Sequence, residues 1–178
     1  MTRNEGIGVS KALLPRCILA PWILAVIAVV ASALLPIGTG AADTEPLFQF
    51  PQSTLSIHTS DGRVVKFKIW TADRPSRQEQ GLMFVRDIDE HAGMLFVFPI
   101  SQRVTMWMKN TYMSLDMLFL DQQGRIDYIA QRTTPLTLDL IQSPRPVTAV
   151  LELKGGIAER MGIHSGDLVL APGIGTSP

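Results

Sequence analysis

Trp107-Met108-Lys109-Asn110-Thr111, with Leu115-Asp116 just beyond, gathers a cation, an amide, a hydroxyl and a carboxylate between two apolar runs, residues 104–108 and 117–120. Polar groups on a loop beside an apolar strand suit a binding site, and they suit a pinned strand connection equally well. For a site, Trp107 and Tyr112 offer stacking faces while Lys109 and Asn110 can hydrogen-bond a sugar or an anion. Strand alternation puts Trp107 and Lys109 on one face if a strand runs through both. For a corner, Asn110 and Thr111 bond neighbouring backbone and tighten a turn, and Lys109 pairs with Asp116 across it. Glu152 is the other notable charge, set between Leu151 and Leu153. If it points inward it needs a cationic partner, because a buried unpaired carboxylate is costly; Lys109 is the candidate.

Two further chemistries are open. Asp116 and Glu152 are the carboxylates of a possible hydrolase acting on an envelope polymer, provided they lie within about 5–10 Å across one cleft. Seven methionines, Met83, Met94, Met106, Met108, Met113, Met117 and Met161, follow the N-terminal apolar stretch. Thioethers select Cu(I), and a domain without cysteine has to use them in place of thiolates; Met106 and Met108 would share one strand face. The bland alternative is that methionine fills irregular core space and touches aromatic rings. His58, His91 and His164 are isolated and lack zinc-site spacing. No Gly-rich phosphate loop, nucleophile elbow or Ser-x-x-Lys sequence is present. Residues 155–170 resemble the helix–turn–strand of PDZ domains but lack a carboxylate-binding loop before them, so helix-stop and turn rules account for them. No cofactor is implied.

Composition narrows the class. The first forty-odd residues read as a targeting segment: Arg3, Lys11 and Arg16 precede an apolar run over 18–35, and Gly40-Ala41-Ala42 offers small residues for cleavage. The rival is an uncleaved inner-membrane anchor over residues 17–37, since about 18 apolar residues can span a bilayer. Both place the remainder outside the cytoplasm, periplasmic or secreted. Cleavage after Ala42 removes Cys17, the only cysteine, and leaves 178 − 42 = 136 residues, enough for one domain with a real core. Beyond Ala42 the charges are 13 Lys+Arg against 15 Asp+Glu, a net of −2 and no footprint for nucleic acid. The expected partner is a small molecule or an envelope component, with membrane contact only through the N-terminal segment.

The elements that must position these residues are mostly strands. Residues 43–53, with Pro46 and Pro51, read as a linker arm before a single β-rich domain over 54–172. Asp61-Gly62 predicts a two-residue type I′ hairpin between residues 55–57 and 65–69. Pro75, with Ser76 and Glu79 as a capping box, predicts a short helix with Gly81 inside it. Strands are predicted at 94–98 (stopped by Pro99), 104–108, 115–120, 125–131, 147–153 and 168–170. A helical turn near 157–161 and a long loop over 133–146 complete the series. Many short strands with one or two short helices predict a compact antiparallel β-sandwich or barrel-like domain.

Several of these segments together resemble a known family. They are Gln80-Gly81-Leu82-Met83, Gly93-Met94-Leu95-Phe96-Val97-Phe98, Trp107-Met108-Lys109-Asn110-Thr111, Leu115-Asp116, Val150-Leu151-Glu152-Leu153 and Gly166-Asp167. In this order they resemble domain-of-unknown-function family 192, over residues 80–170. The resemblance implies a compact, mainly β domain, often exported, with no established activity and no catalytic assignment to carry over. Two positions depart from its pattern: Met106 stands where an aromatic residue is expected, and Thr148-Ala149 where tyrosine is commoner.

Overall fold

The computed structural model describes residues 44–174; the targeting segment or anchor expected over 1–42 lies outside them. The described chain is one curled seven-stranded sheet, in the order β6-β5-β8-β3-β2-β1-β9, with a separate two-stranded sheet, β4-β7. The strands are β1 (Gln52–His58), β2 (Val64–Ala72), β3 (Ala92–Gln102), β4 (Thr105–Met106), β5 (Leu115–Leu120), β6 (Ile126–Ala130), β7 (Ile141–Gln142), β8 (Val147–Lys154) and β9 (Leu168–Leu170). Two short helices, α1 (Pro75–Gln80) and α2 (Ile157–Arg160), accompany them.

The sheet is barrel-like because its two ends are tied. β9 pairs with β1, and its other side meets the start of β6 through an Arg125–Leu168 bridge. Val169 N–H donates to Gly124 C=O at 2.8 Å, and Ile126 N–H to Asp167 C=O at 2.9 Å. Closure of this kind removes the free edges that a flat sheet would present. The expected antiparallel pattern has one exception: β2 and β3 run parallel. Parallel neighbours need a crossover connection of a dozen or more residues, and residues 73–91, including α1, supply it.

β3, β5 and β8 lie at the middle of the sheet and are buried on both faces, which is why they read as continuous apolar runs rather than alternating ones. Inward, Leu95, Leu118, Leu120, Ala149, Leu151 and Leu153 fill the curl with Leu55, Ile57, Phe67 and Ile69. Outward, Met94, Phe96, Leu115, Met117, Phe119 and Val150 form a second core under Leu82, Ile88, Val104, Met108 and Met113. Gly93 permits the close β3–β8 approach: a Cβ there would lie 2.5 Å from the Glu152 carbonyl oxygen and 2.8 Å from Leu153 Cδ2. Gly93→Ala is expected to cost about 3 kcal/mol, the upper range for overpacking, because backbone cannot step aside as a side chain can. A urea midpoint unchanged by this substitution would contradict that packing.

Several local expectations are corrected. The hairpin loop has three residues, 60–62: Thr59 N–H bonds Arg63 C=O and Gly62 N–H bonds Thr59 C=O. Only Gly62, at φ +88°, has positive φ there, so a type I turn followed by a left-handed glycine replaces the type I′ turn. Ser76 makes no cap; Arg74 is the N-cap position and has no side-chain cap bond, while Gly81, at φ +50°, ends the helix instead of lying inside it. Pro99 does not stop β3, which continues to Gln102 through a register break after Val97, the kind of bulge where proline's missing N–H is tolerated. The expected 104–108 strand shrinks to β4, paired with β7 from the loop over 133–146.

The expected linker arm is docked rather than loose. Phe50 is buried and lies under the Arg77 guanidinium, 5.2 Å from its ring centroid. Glu45 accepts from Arg77 at 2.6 Å and Arg74 at 2.5 Å, and the Arg77 bond leads in holding its carboxyl down to about 2. Gln80 bonds the Glu45 backbone in both directions, at 2.6 and 2.7 Å. The arm thereby fixes α1 and the glycine that follows it.

Candidate functional site

The six residues singled out from the sequence divide between two faces of the sheet. Leu153 on β8 pairs with Asp116 on β5, and Glu152 pairs with Met117. Adjacent residues on a strand point to opposite faces, so Asp116 faces inward and Glu152 outward. The two carboxylates do not share a cleft, and the hydrolase reading fails on this geometry.

Asp116 is fully buried and its carboxylate is occupied. Oδ1 accepts the Arg132 backbone N–H at 2.8 Å, and Oδ2 accepts the Ala158 backbone N–H at 2.9 Å. Ala158 is the second residue of α2, whose own N-cap, Gly156, has no side chain to offer. Asp116 supplies from another strand the capping oxygen that helix starts require. The expected Lys109–Asp116 pair does not form.

The Lys109–Glu152 pair does not form either. Residues 108–111 make a turn in which Thr111 N–H donates to Met108 C=O at 3.1 Å, with Asn110 at φ +57°. Positive φ at the third position defines a type II turn, where asparagine is among the few residues tolerated. Lys109 is thereby exposed, with its Nζ 5.8 Å from the centroid of the Trp107 ring. Two distant backbone bonds pin the turn, Phe84 N–H to Asn110 C=O at 2.8 Å and Leu136 N–H to Thr111 C=O at 3.1 Å. Lys109 and Asn110 thus sit at the corner of the turn, without the Lys109–Asp116 pair expected there, and the Asn110 amide nitrogen lies 3.9 Å from the Met83 sulfur.

Trp107, Thr111 and Glu152, however, do converge. They line one crevice with Gly81, Met83, Met106 and Phe96, together with the end of α1 and Leu82. Its cavity is about 20 Å³, space for one water-sized group. Glu152 is only 4% exposed, and its Oε2 has no hydrogen-bond partner among the described residues. Burial alone pushes its carboxyl up to about 8, because removal from water disfavours the charged form and nothing here restores it. Gly81 shapes the wall: a Cβ there would lie 3.1 Å from Phe96 Cζ. Phe84, Trp107, Tyr112 and Leu136 remain half-exposed around this corner, and Phe84 meets Tyr112 edge-on at 6.2 Å.

The α1 wall was missed as site material. Gln80-Gly81-Leu82-Met83 is a recognisable segment, but its residues read as a helix with apolar anchors, and only the parallel crossover carries them over β8. Among the methionines, Met106 and Met108 do not share a strand face: Met108 is fully buried, with the Thr133 hydroxyl 3.1 Å from its sulfur. Met94 and Met117 are instead the register partners of Glu152 on either side. No group of three or more His, Cys, Asp or Glu converges among the described residues.

A barrel-like β domain with a buried, unpartnered carboxyl at the floor of a narrow crevice is the class that fold and site define. The chain belongs to domain-of-unknown-function family 192, described as an uncharacterized ACR, which it matches over residues 56–171. Two solved structures are similar. One is a Sinorhizobium meliloti 1021 protein provisionally named a transcription regulator, 38% identical, with TM-score 0.69 and covering 70% of this chain and 97% of that one. The other, from Novosphingobium aromaticivorans DSM 12444, is a protein of unknown function, 30% identical, with TM-score 0.68 and covering 72% of this chain and 91% of that one. The S. meliloti chain holds little beyond this domain, so the domain folds there without a partner segment. No curated protein matches the chain.

Proposed function

We propose that this is an exported binding domain whose ligand enters the Glu152 crevice beside Trp107. The observation that carries the reading is the Glu152 carboxyl, buried without a partner yet facing a cavity that takes a water-sized group. Natural interiors rarely leave such a group unmatched, and an orphan buried carboxyl calls for an explanation. The half-exposed Trp107 gives a bound molecule a face to rest on while a small head group reaches Glu152. The export signal or anchor read in residues 1–42 puts the ligand among envelope or extracellular components. The net charge of −2 beyond Ala42 argues against carrying over to this chain the role in the S. meliloti protein's name.

Nuclear magnetic resonance on the chain from Asp43 onward provides the test, with a panel of small amines, alcohols and monovalent cations as probes. Responses are expected to cluster at the Trp107 indole, Thr111 and Gly81. Trp107→Ala should weaken binding by about tenfold or more, the scale of a truncated anchor. Responses spread over the surface, or untouched by Trp107→Ala, would overturn the reading.

A further inference from the structure

We propose that the Glu152 crevice binds a soft monovalent metal ion, Cu(I) in kind, through the thioethers of Met83 and Met106 with Glu152 as its anionic floor. This rests on the crevice being a ligand site. Three independent features support the ion. First, the cavity of about 20 Å³ admits a single water-sized sphere, so the group that reaches Glu152 has to be very small. Second, the surroundings of the carboxyl are sulfur-rich: Met83 and Met106 line the cavity, and Met94 and Met117 flank Glu152 in the sheet. Residues directly opposite on neighbouring strands have Cβ atoms about 4.5–5.5 Å apart on the same face. Third, no basic side chain faces Glu152, whose Oε2 is unpartnered; a bound cation would take the place of the carboxyl proton and give that oxygen a partner.

The donor set selects the metal. Calcium takes six or more oxygens and magnesium keeps an octahedral oxygen shell; at this cavity Glu152 is the one buried carboxyl, Glu79 is exposed at the rim, and the Gln80 amide is already bonded to the Glu45 backbone. Zinc prefers thiolate and imidazole, and no such cluster converges among the described residues. Thioethers favour Cu(I). Trp107 stands at the same cavity, and its ring already attracts one cation, the Lys109 ammonium; indole faces are the best aromatic cation acceptors. Met161 belongs to the inner core, away from the crevice, and serves as a control.

The experiment titrates the chain from Asp43 onward with Ag(I), an air-stable probe, and with Cu(I) under a competing chelator and anaerobic reductant. One ion per chain is expected, with shifts of the Met83 and Met106 ε-methyl resonances, no shift at Met161, and quenching of emission that disappears in Trp107→Phe. Leucine is a near volume match for methionine, so Met83→Leu with Met106→Leu should fold and lower affinity by roughly 100-fold or more, beyond the loss from an outer-shell change. If the double variant does not fold, the methyl shifts of the unaltered chain decide. Absence of binding at tens of micromolar, or binding unchanged by the double variant, overturns the ion. If Ag(I) and Cu(I) fail while organic probes still perturb Trp107 and Thr111, the ion falls and the ligand crevice stands. If every probe fails there, both fall.

Discussion

Glu152→Gln should make this domain more stable at pH 8.5 than the unaltered chain, while the two should nearly coincide at pH 5. The folded carboxyl holds its proton to about 8, against an ordinary value of 4.5. Between those values the folded state binds a proton that the unfolded state has lost, so stability falls as pH rises through that window and is level above it. At about 1.4 kcal/mol per pKa unit, the difference approaches 4–5 kcal/mol above pH 8, on an order-of-magnitude scale. Glutamine keeps the shape and removes the ionisation. The melting temperature gap should therefore widen to on the order of 10 °C between pH 5 and 8.5 in metal-free protein. Parallel melting curves across that range would show that Glu152 reaches water or a counter-charge on its own. Stabilisation by removing a charge is the behaviour expected of a group kept for a reason other than stability.

Asp116→Ala should act in the opposite sense. Its two oxygens satisfy two backbone N–H groups, at 2.8 and 2.9 Å, in a fully buried position. Each orphaned donor costs about 1–3 kcal/mol, and the vacated volume adds to this. A loss of roughly 3–5 kcal/mol is expected, read as a fall in the urea midpoint. Faster hydrogen exchange at Arg132 and Ala158 should accompany it. Asp116→Asn keeps the volume but turns an amide NH₂ toward one of those donors, so it should lose about 2 kcal/mol. In a folded Asp116→Asn variant, ligand responses at Trp107 should be unchanged, because Asp116 lies on the opposite face of the sheet. A loss under about 1 kcal/mol for the alanine variant would mean that α2 does not depend on this cap.

The contrast between the two carboxylates separates what the order of residues reveals from what it hides. Both sit between apolar neighbours, and both looked equally suited to a site. The strand assignments at 115–120 and 168–170 coincide with β5 and β9, and that at 147–153 falls one residue short of β8, because apolar runs bounded by turn residues mark strands locally. Asn110 as a turn residue was legible for the same reason: its left-handed conformation is a property of the residue and its neighbours. Which face each carboxylate takes was not legible, because it depends on the register between β5 and β8, set by partners more than thirty residues apart. The Lys109 pairings failed because a type II turn, not a continuous strand, sets the direction of that side chain.

By itself, then, the sequence determined the class of domain, its family and the turn at Met108–Thr111, since hydrophobic pattern and turn chemistry are local properties. Only the tertiary structure decided that Asp116 is a helix cap and Glu152 a buried orphan at the floor of a crevice under the end of α1. The parallel crossover carries Gly81 and Met83 over β8, and the β5–β8 register turns one carboxylate to each side. Those are consequences of which strands meet, a choice made by burying both faces of the sheet at once. Pairing between distant strands fixes chemistry that no stretch of neighbouring residues specifies.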